Sequence, residues 1–159
     1  MRARSLLAVV VLCAAAPAMA QQATCTGSNV SISLGTYEAY QSGHLDSSAS
    51  VVVNCTRDGG PANISVMIAL GPSLNSGSIA TRQLRTGGGP DVLEYNFYRD
   101  AGRSQVWGNN PGVNTVSITQ FIPNKSTLAF TFTIFGRINA LQDVRAGAYN
   151  DSLVMTVDF

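Results

Sequence analysis

Apolar and polar residues alternate along most of this chain. Val30, Ile32 and Leu34 are separated by Ser31 and Ser33, and Val51, Val53 and Cys55 share a second face. Ile64, Val66, Ile68 and Leu70 form a third set, and Leu93, Tyr95 and Phe97 a fourth. Val116 and Ile118 follow, then the clearest run, Leu128, Phe130, Phe132 and Ile134 between Ala129, Thr131 and Thr133. Leu153, Met155, Val157 and Phe159 close the chain. A period of two places each set on one face of a strand, where it can line a core. Turn formers separate the runs: Asp58-Gly59-Gly60-Pro61, Gly71-Pro72, Gly87-Gly88-Gly89-Pro90, Asn109-Asn110-Pro111-Gly112 and Pro123-Asn124. No stretch of a dozen residues carries a helical stripe free of Gly and Pro. Seven strands with frequent turns predict an all-β protein, an antiparallel β-sandwich, with no linker, repeat or second domain.

The N-terminus reads differently. Arg2 and Arg4 precede the apolar run Leu6-Leu7-Ala8-Val9-Val10-Val11-Leu12, and Ala18-Met19-Ala20 offers a small-x-small cleavage site before Gln21. Residues 1–20 are expected to be a secretory signal peptide, leaving a domain over residues 21–159. The apolar run is too short to span a bilayer, which needs about 20 apolar residues. No later run is long enough either, so stable membrane insertion is not expected. Of the three cysteines, Cys13 falls in the leader. Cys25 and Cys55 remain, and an even pair in an exported protein implies a disulfide. Closing a loop of about 30 residues stabilises by roughly 3–4 kcal/mol in the chain-entropy account.

Composition narrows the function. Only 12% of the 159 residues are charged, the net charge is +1 and no basic run occurs, so the footprint of a nucleic-acid binder is absent. His44 is the only histidine and sits in a polar, loop-like stretch, with no nucleophile elbow elsewhere to form a triad. The nine acids are dispersed, and the glycines at 87–89 lack the lysine and following helix of a phosphate loop. No catalytic residue, metal site or cofactor is expected. Trp107 could be a surface aromatic that stacks on a sugar, although a core or loop-packing role suits it better. Five Asn-x-Ser/Thr sequons, at Asn29, Asn54, Asn63, Asn124 and Asn150, modestly exceed chance.

The last alternating run continues to the final residue, and the sequence contains one lysine, Lys125, the residue type that commonly blunts exposed sheet edges. Two readings of that run stand: a strand internal to its sheet, or an edge that another chain covers.

The ordered series Cys25, Ser33-Leu34-Gly35-Thr36-Tyr37, Val51-Val52-Val53-Asn54-Cys55-Thr56 and Leu93-Glu94-Tyr95-Asn96-Phe97-Tyr98-Arg99-Asp100 is followed by Trp107-Gly108 and Phe135-Gly136-Arg137-Ile138. It ends on Ala146-Gly147-Ala148-Tyr149-Asn150-Asp151 and Val154-Met155-Thr156-Val157. This series, over about residues 25–159, resembles the spore coat protein U domain family, which includes the subunits of archaic chaperone–usher pili. The resemblance implies an incomplete immunoglobulin-like sandwich whose missing strand leaves an apolar groove. A periplasmic chaperone would fill that groove first, and the N-terminal extension of a sibling pilus subunit would replace it after passage through an outer-membrane usher. The expected groove residues are Phe130, Phe132, Ile134, Leu153, Met155, Val157 and Phe159. Only Gln21 to Thr24 lie between the expected cleavage site and Cys25, spanning about 13 Å. The subunit is therefore expected to accept a strand but not to donate one, as a terminal or minor component.

Two further functions compete with a structural pilus or coat subunit on the cell surface. One is a stand-alone secreted module that binds glycans or surfaces, and the other is a hydrolase. Mass spectrometry of the exported protein without reductant tests the cysteine assignment. The mass is expected to be two hydrogen atoms below that of the dithiol, and two alkylatable thiols would refute the pairing.

Overall fold

The structure is a computed structural model that describes residues 23–27, 30–86 and 89–159. The expected signal peptide lies outside the described residues. Among the described residues nine strands form two antiparallel sheets, an all-β fold as the alternation predicts although with two more strands than the seven it marks, and no helix occurs. The larger sheet has the order β1-β2-β7-β5-β4-β8, comprising Ala23–Gly27, Leu45–Arg57, Ser126–Ile138, Val92–Tyr98, Arg82–Thr86 and Tyr149–Asn150. The smaller has the order β6-β3-β9, comprising Val116–Ile122, Ala62–Leu70 and Met155–Asp158.

The central ladder joins β2 to β7 over their full lengths, from Leu45 opposite Ile138 to Arg57 opposite Ser126. Both strands bury alternate residues. Val51, Val53 and Cys55 on β2 and Phe130, Phe132 and Ile134 on β7 are each at most 1% exposed. They meet Val66, Ile68 and Leu70 of β3 to form the core. The polar alternates, such as Thr131 and Thr133, face solvent, which is why a strict period of two marks these strands.

Three strands carry little apolar signal. In β1, Cys25 lies opposite Cys55, and the two form a disulfide that staples this edge strand to the core. In β4 the buried position at the start is taken by Arg82, where a strand pattern calls for an apolar residue. β8 is two residues long and pairs with the end of β4.

Arg82 is fully buried and binds backbone oxygens rather than a carboxylate. Its guanidinium donates to Leu70 O at 3.1 Å, Gly71 O at 2.9 Å, Trp107 O at 2.9 Å and Asn96 Oδ1 at 2.6 Å. Asn96 in turn donates to Ile79 O and Ala80 O in the loop leading into β4. One side chain thus ties the end of β3, the loop at Trp107 and strands β4 and β5 together. Trp107 is 1% exposed, and its indole N–H donates to Ile68 O at 2.9 Å. The core role therefore holds, and the surface-aromatic reading is corrected. The backbone bonds from Trp107 N to Phe97 O and from Gly108 N to Asn114 O fold this loop inward against β5 and β3.

Replacing Arg82 with Met leaves several buried carbonyls without a donor, each worth about 1–3 kcal/mol. Arg82→Met is expected to lower unfolding free energy by at least about 3 kcal/mol in urea melts. Arg85→Met, at an exposed position on the same strand, is expected to stay within about 0.5 kcal/mol of the parent.

Candidate functional site: an open groove

Residues 30–34 carry the alternation that predicts a strand, and they are extended with Val30, Ile32 and Leu34 half-buried and Ser31 and Ser33 exposed. Yet among the described residues this segment joins no ladder. It crosses the inner face of the larger sheet at Gly136. A Cβ built on Gly136 would come within 2.5 Å of Leu34 Cδ2 and 2.7 Å of Ser47 Oγ, so only glycine lets Leu34 settle there. Gly35, at φ 97°, then turns the chain in the left-handed region. Arg103 supports the sheet at this crossing, donating to Gly136 O at 3.0 Å and Ser47 O at 3.1 Å. Asp46 pairs with both Arg137 and Arg103, and the hydrogen bond from Arg137 holds its carboxyl below the usual range.

Facing this segment is the last stretch of chain. It begins in the larger sheet as β8 and ends in the smaller sheet as β9. Between them, Gly71 N donates to Val154 O at 2.8 Å and Leu74 N to Ser152 O at 2.9 Å. The even-numbered residues here are exposed, whereas Tyr149, Asp151, Leu153, Met155 and Val157 are half-buried. In a strand, one residue's N–H and C=O point to the same side and its neighbour's to the other. Since Ser152 and Val154 bond towards β3, the backbone groups of Leu153 and Met155 point away from it, along the open edge.

Two extended stretches with unpaired edges therefore flank a gap. A cavity of about 610 Å³ occupies it, with Val30, Ile32 and Leu34 on one wall and Leu153 and Met155 on the other. Val51, Ile134, Phe97 and Tyr95 of the larger sheet contribute to its floor, together with Leu84 and Leu70. A second cavity of about 870 Å³ shares Ile32, Leu34, Leu84 and Tyr149 and extends the groove towards Tyr40 and Arg145. At the other end, a Cβ on Gly27 would lie 4.0 Å from Val157 Cγ2, so the walls draw together there.

Of the residues expected to bound a groove, Ile134, Leu153 and Met155 line it. Phe130 and Phe132 instead lie in the closed core, Val157 sits at the narrow end, and Phe159 is 59% exposed beyond the end of β9. The sequence reading missed the wall formed by Val30, Ile32 and Leu34, because alternation reports a buried face and says nothing about whether the backbone finds a partner. It also missed Asp151, which occupies one position of the inward row and accepts a 2.7 Å hydrogen bond from Tyr95 Oη. His44 is exposed, and its Nδ1 accepts from Ala140 N at 3.2 Å. Among the described residues, no group of three or more His, Cys, Asp or Glu side chains is placed to hold a metal ion.

An open edge thus faces an unpaired extended segment over an apolar floor. The family model of the Spore Coat Protein U domain matches residues 10–156. The chain belongs to the Spore Coat Protein U domain family. It is also 28% identical to Protein U of Myxococcus xanthus over 98 residues, which cover 58% of this chain and 51% of that protein. The chain thus spans about half the length of this curated relative. Family membership supports a surface- or coat-associated subunit, and the disulfide fits an extracytoplasmic protein.

The Gly136 crossing provides a direct test of the wall at residues 30–37. Gly136→Ala is expected to displace Leu34, cost about 1–3 kcal/mol through overpacking, and raise the rate of limited proteolysis within residues 30–37 above the parent level. An unchanged cleavage rate there would show that Leu34 does not depend on the missing side chain.

Proposed function

We propose that this chain is a non-enzymatic structural subunit of a secreted surface fibre or coat, and that its groove receives a β-strand from another protein. The observation that carries this reading is the facing pair of unpaired edges, residues 30–37 and 151–157, above an apolar floor. A strand laid between them gains a hydrogen-bond ladder on both sides, and its alternate side chains fill the floor. Each apolar side chain buried in this way contributes about 1.5–3 kcal/mol before the cost of ordering the strand. In this proposal the strand comes first from a periplasmic chaperone, then from a sibling subunit delivered through an outer-membrane usher.

The subunit would occupy a terminal or minor position. Ala23 and Thr24 pair with Arg57 and Thr56 in β1 and are locked beside the disulfide. With cleavage after Ala20, they are committed to the protein's own sheet and are not free to fill another groove.

The test uses extended synthetic peptides that alternate apolar and polar residues. Such peptides are expected to raise the midpoint of thermal unfolding in a concentration-dependent way. Scrambled peptides of the same composition are expected to have no effect. Ile32→Asp, on the half-exposed wall, is expected to abolish the shift while the protein remains folded by circular dichroism. A protein whose unfolding temperature ignores every alternating peptide would refute the reading.

A further inference from the structure

The inward-facing row along the open edge is apolar except at one position. Tyr149, Leu153, Met155 and Val157 pack against the core, while the fifth member, Asp151, places a carboxylate in the groove wall. Each carboxylate oxygen has one donor. Tyr95 Oη gives a 2.7 Å hydrogen bond to Oδ2, and Asn75 N gives a 3.3 Å bond to Oδ1. Tyr95 remains a donor at any working pH, because burial, and then its bond to Asp151, push the phenol well above its ordinary range. The buried Arg82 guanidinium lies close enough to Asp151 and Tyr95 to interact electrostatically with both. Charge is therefore opposed from within the protein, while a carboxylate with about four acceptor sites has two filled.

A strand that enters the groove removes the remaining water from this carboxylate. An aliphatic side chain at that point would leave acceptor sites dry, at a cost comparable to a lost hydrogen bond. A second carboxylate would add repulsion. A neutral donor would complete the shell without unbalancing the charge set by Arg82.

We propose that Asp151 is a specificity-determining residue, and that the strand accepted by this groove carries a hydroxyl or amide donor at the inward position facing Asp151, with apolar residues two positions to either side. This rests on the strand-acceptor reading and adds a chemical requirement to it. The partner segment would therefore be recognisable as an alternating apolar stretch interrupted by one inward-facing Ser, Thr or Asn.

Isothermal calorimetry on the folded, disulfide-bonded protein tests the proposal. The probes are ten-residue peptides that alternate Val and Ser, with one Val replaced by Thr, Leu or Glu at each register in turn. At one register the Thr peptide is expected to bind about tenfold more tightly than the Leu peptide, equivalent to one good hydrogen bond, with the Glu peptide weakest. In Asp151→Leu, which offers the hydroxyl no hydrogen-bond partner, the Thr advantage is expected to disappear. In Tyr95→Phe, which frees one acceptor site while leaving Asp151 in place, it is expected to persist or grow. Thermal melts confirm that each variant is folded. Equal binding of Thr and Leu peptides at every register would overturn the role of Asp151 and leave the strand-acceptor reading standing, as would a Thr advantage that survives in Asp151→Leu. Failure of every peptide to bind would refute both.

Discussion

The ladder between β2 and β7 is the constraint from which the rest of the fold follows. It is long enough for each strand to serve several partners at once. β2 carries β1 through the disulfide, and β7 takes β5 beside the part of β2 nearest Leu45. Because the buried residues of β2 lie opposite those of β7 along the ladder, as Val51 opposite Phe132 and Val53 opposite Phe130, they create one continuous apolar surface. Everything on the inner side must cover that surface. The three-stranded sheet covers part of it, and residues 30–34 cover another part. Between these two covers the floor residues Ile134, Phe97 and Val51 remain accessible from the groove.

Arg82 solves a different problem. Where β3 ends, Leu70 N donates to Gly108 O, and the loop at Trp107 packs against Leu70 and Gly71. Their carbonyls are buried away from water and need donors. A guanidinium has five N–H groups in a fixed fork and can serve several carbonyls at once. Placing a cation there without an adjacent acid is costly, and burial alone lowers its pKa, an effect that Tyr95 and Asp151 oppose. The same trio stands at the point where the last strand passes from one sheet to the other. The internal balance of the core and the polar position in the groove wall are thus parts of one network.

The groove is defined by unsatisfied backbone rather than by a single chemical group. Its walls are extended, its inward side chains are half-buried, and its edge N–H and C=O groups have no protein partner among the described residues. Open edges of this kind invite pairing with another chain. Here the edges flank an apolar floor and one carboxylate, the features on which the proposed alternating strand rests.

The alternating apolar positions by themselves determined the class of fold, because a period of two admits little but half-buried strands. They located the core residues of β2, β3, β5 and β7, and the surviving cysteine pair gave the disulfide. Three things were not legible. β4 reads as Arg-Gln-Leu-Arg-Thr, with a cation where an apolar residue belongs, so its place inside a sheet depends on carbonyls contributed by distant loops. Trp107 is buried because the turn through Gly108 and Asn114 folds it inward, a long-range outcome that composition does not encode. Residues 30–34 and 128–134 show the same alternation, yet the second run pairs with β2 along its whole length, while the first joins no ladder among the described residues. Alternation fixes which side chains face the core, whereas only the tertiary arrangement decides which backbone edges find a neighbour. The groove belongs to the second kind of information.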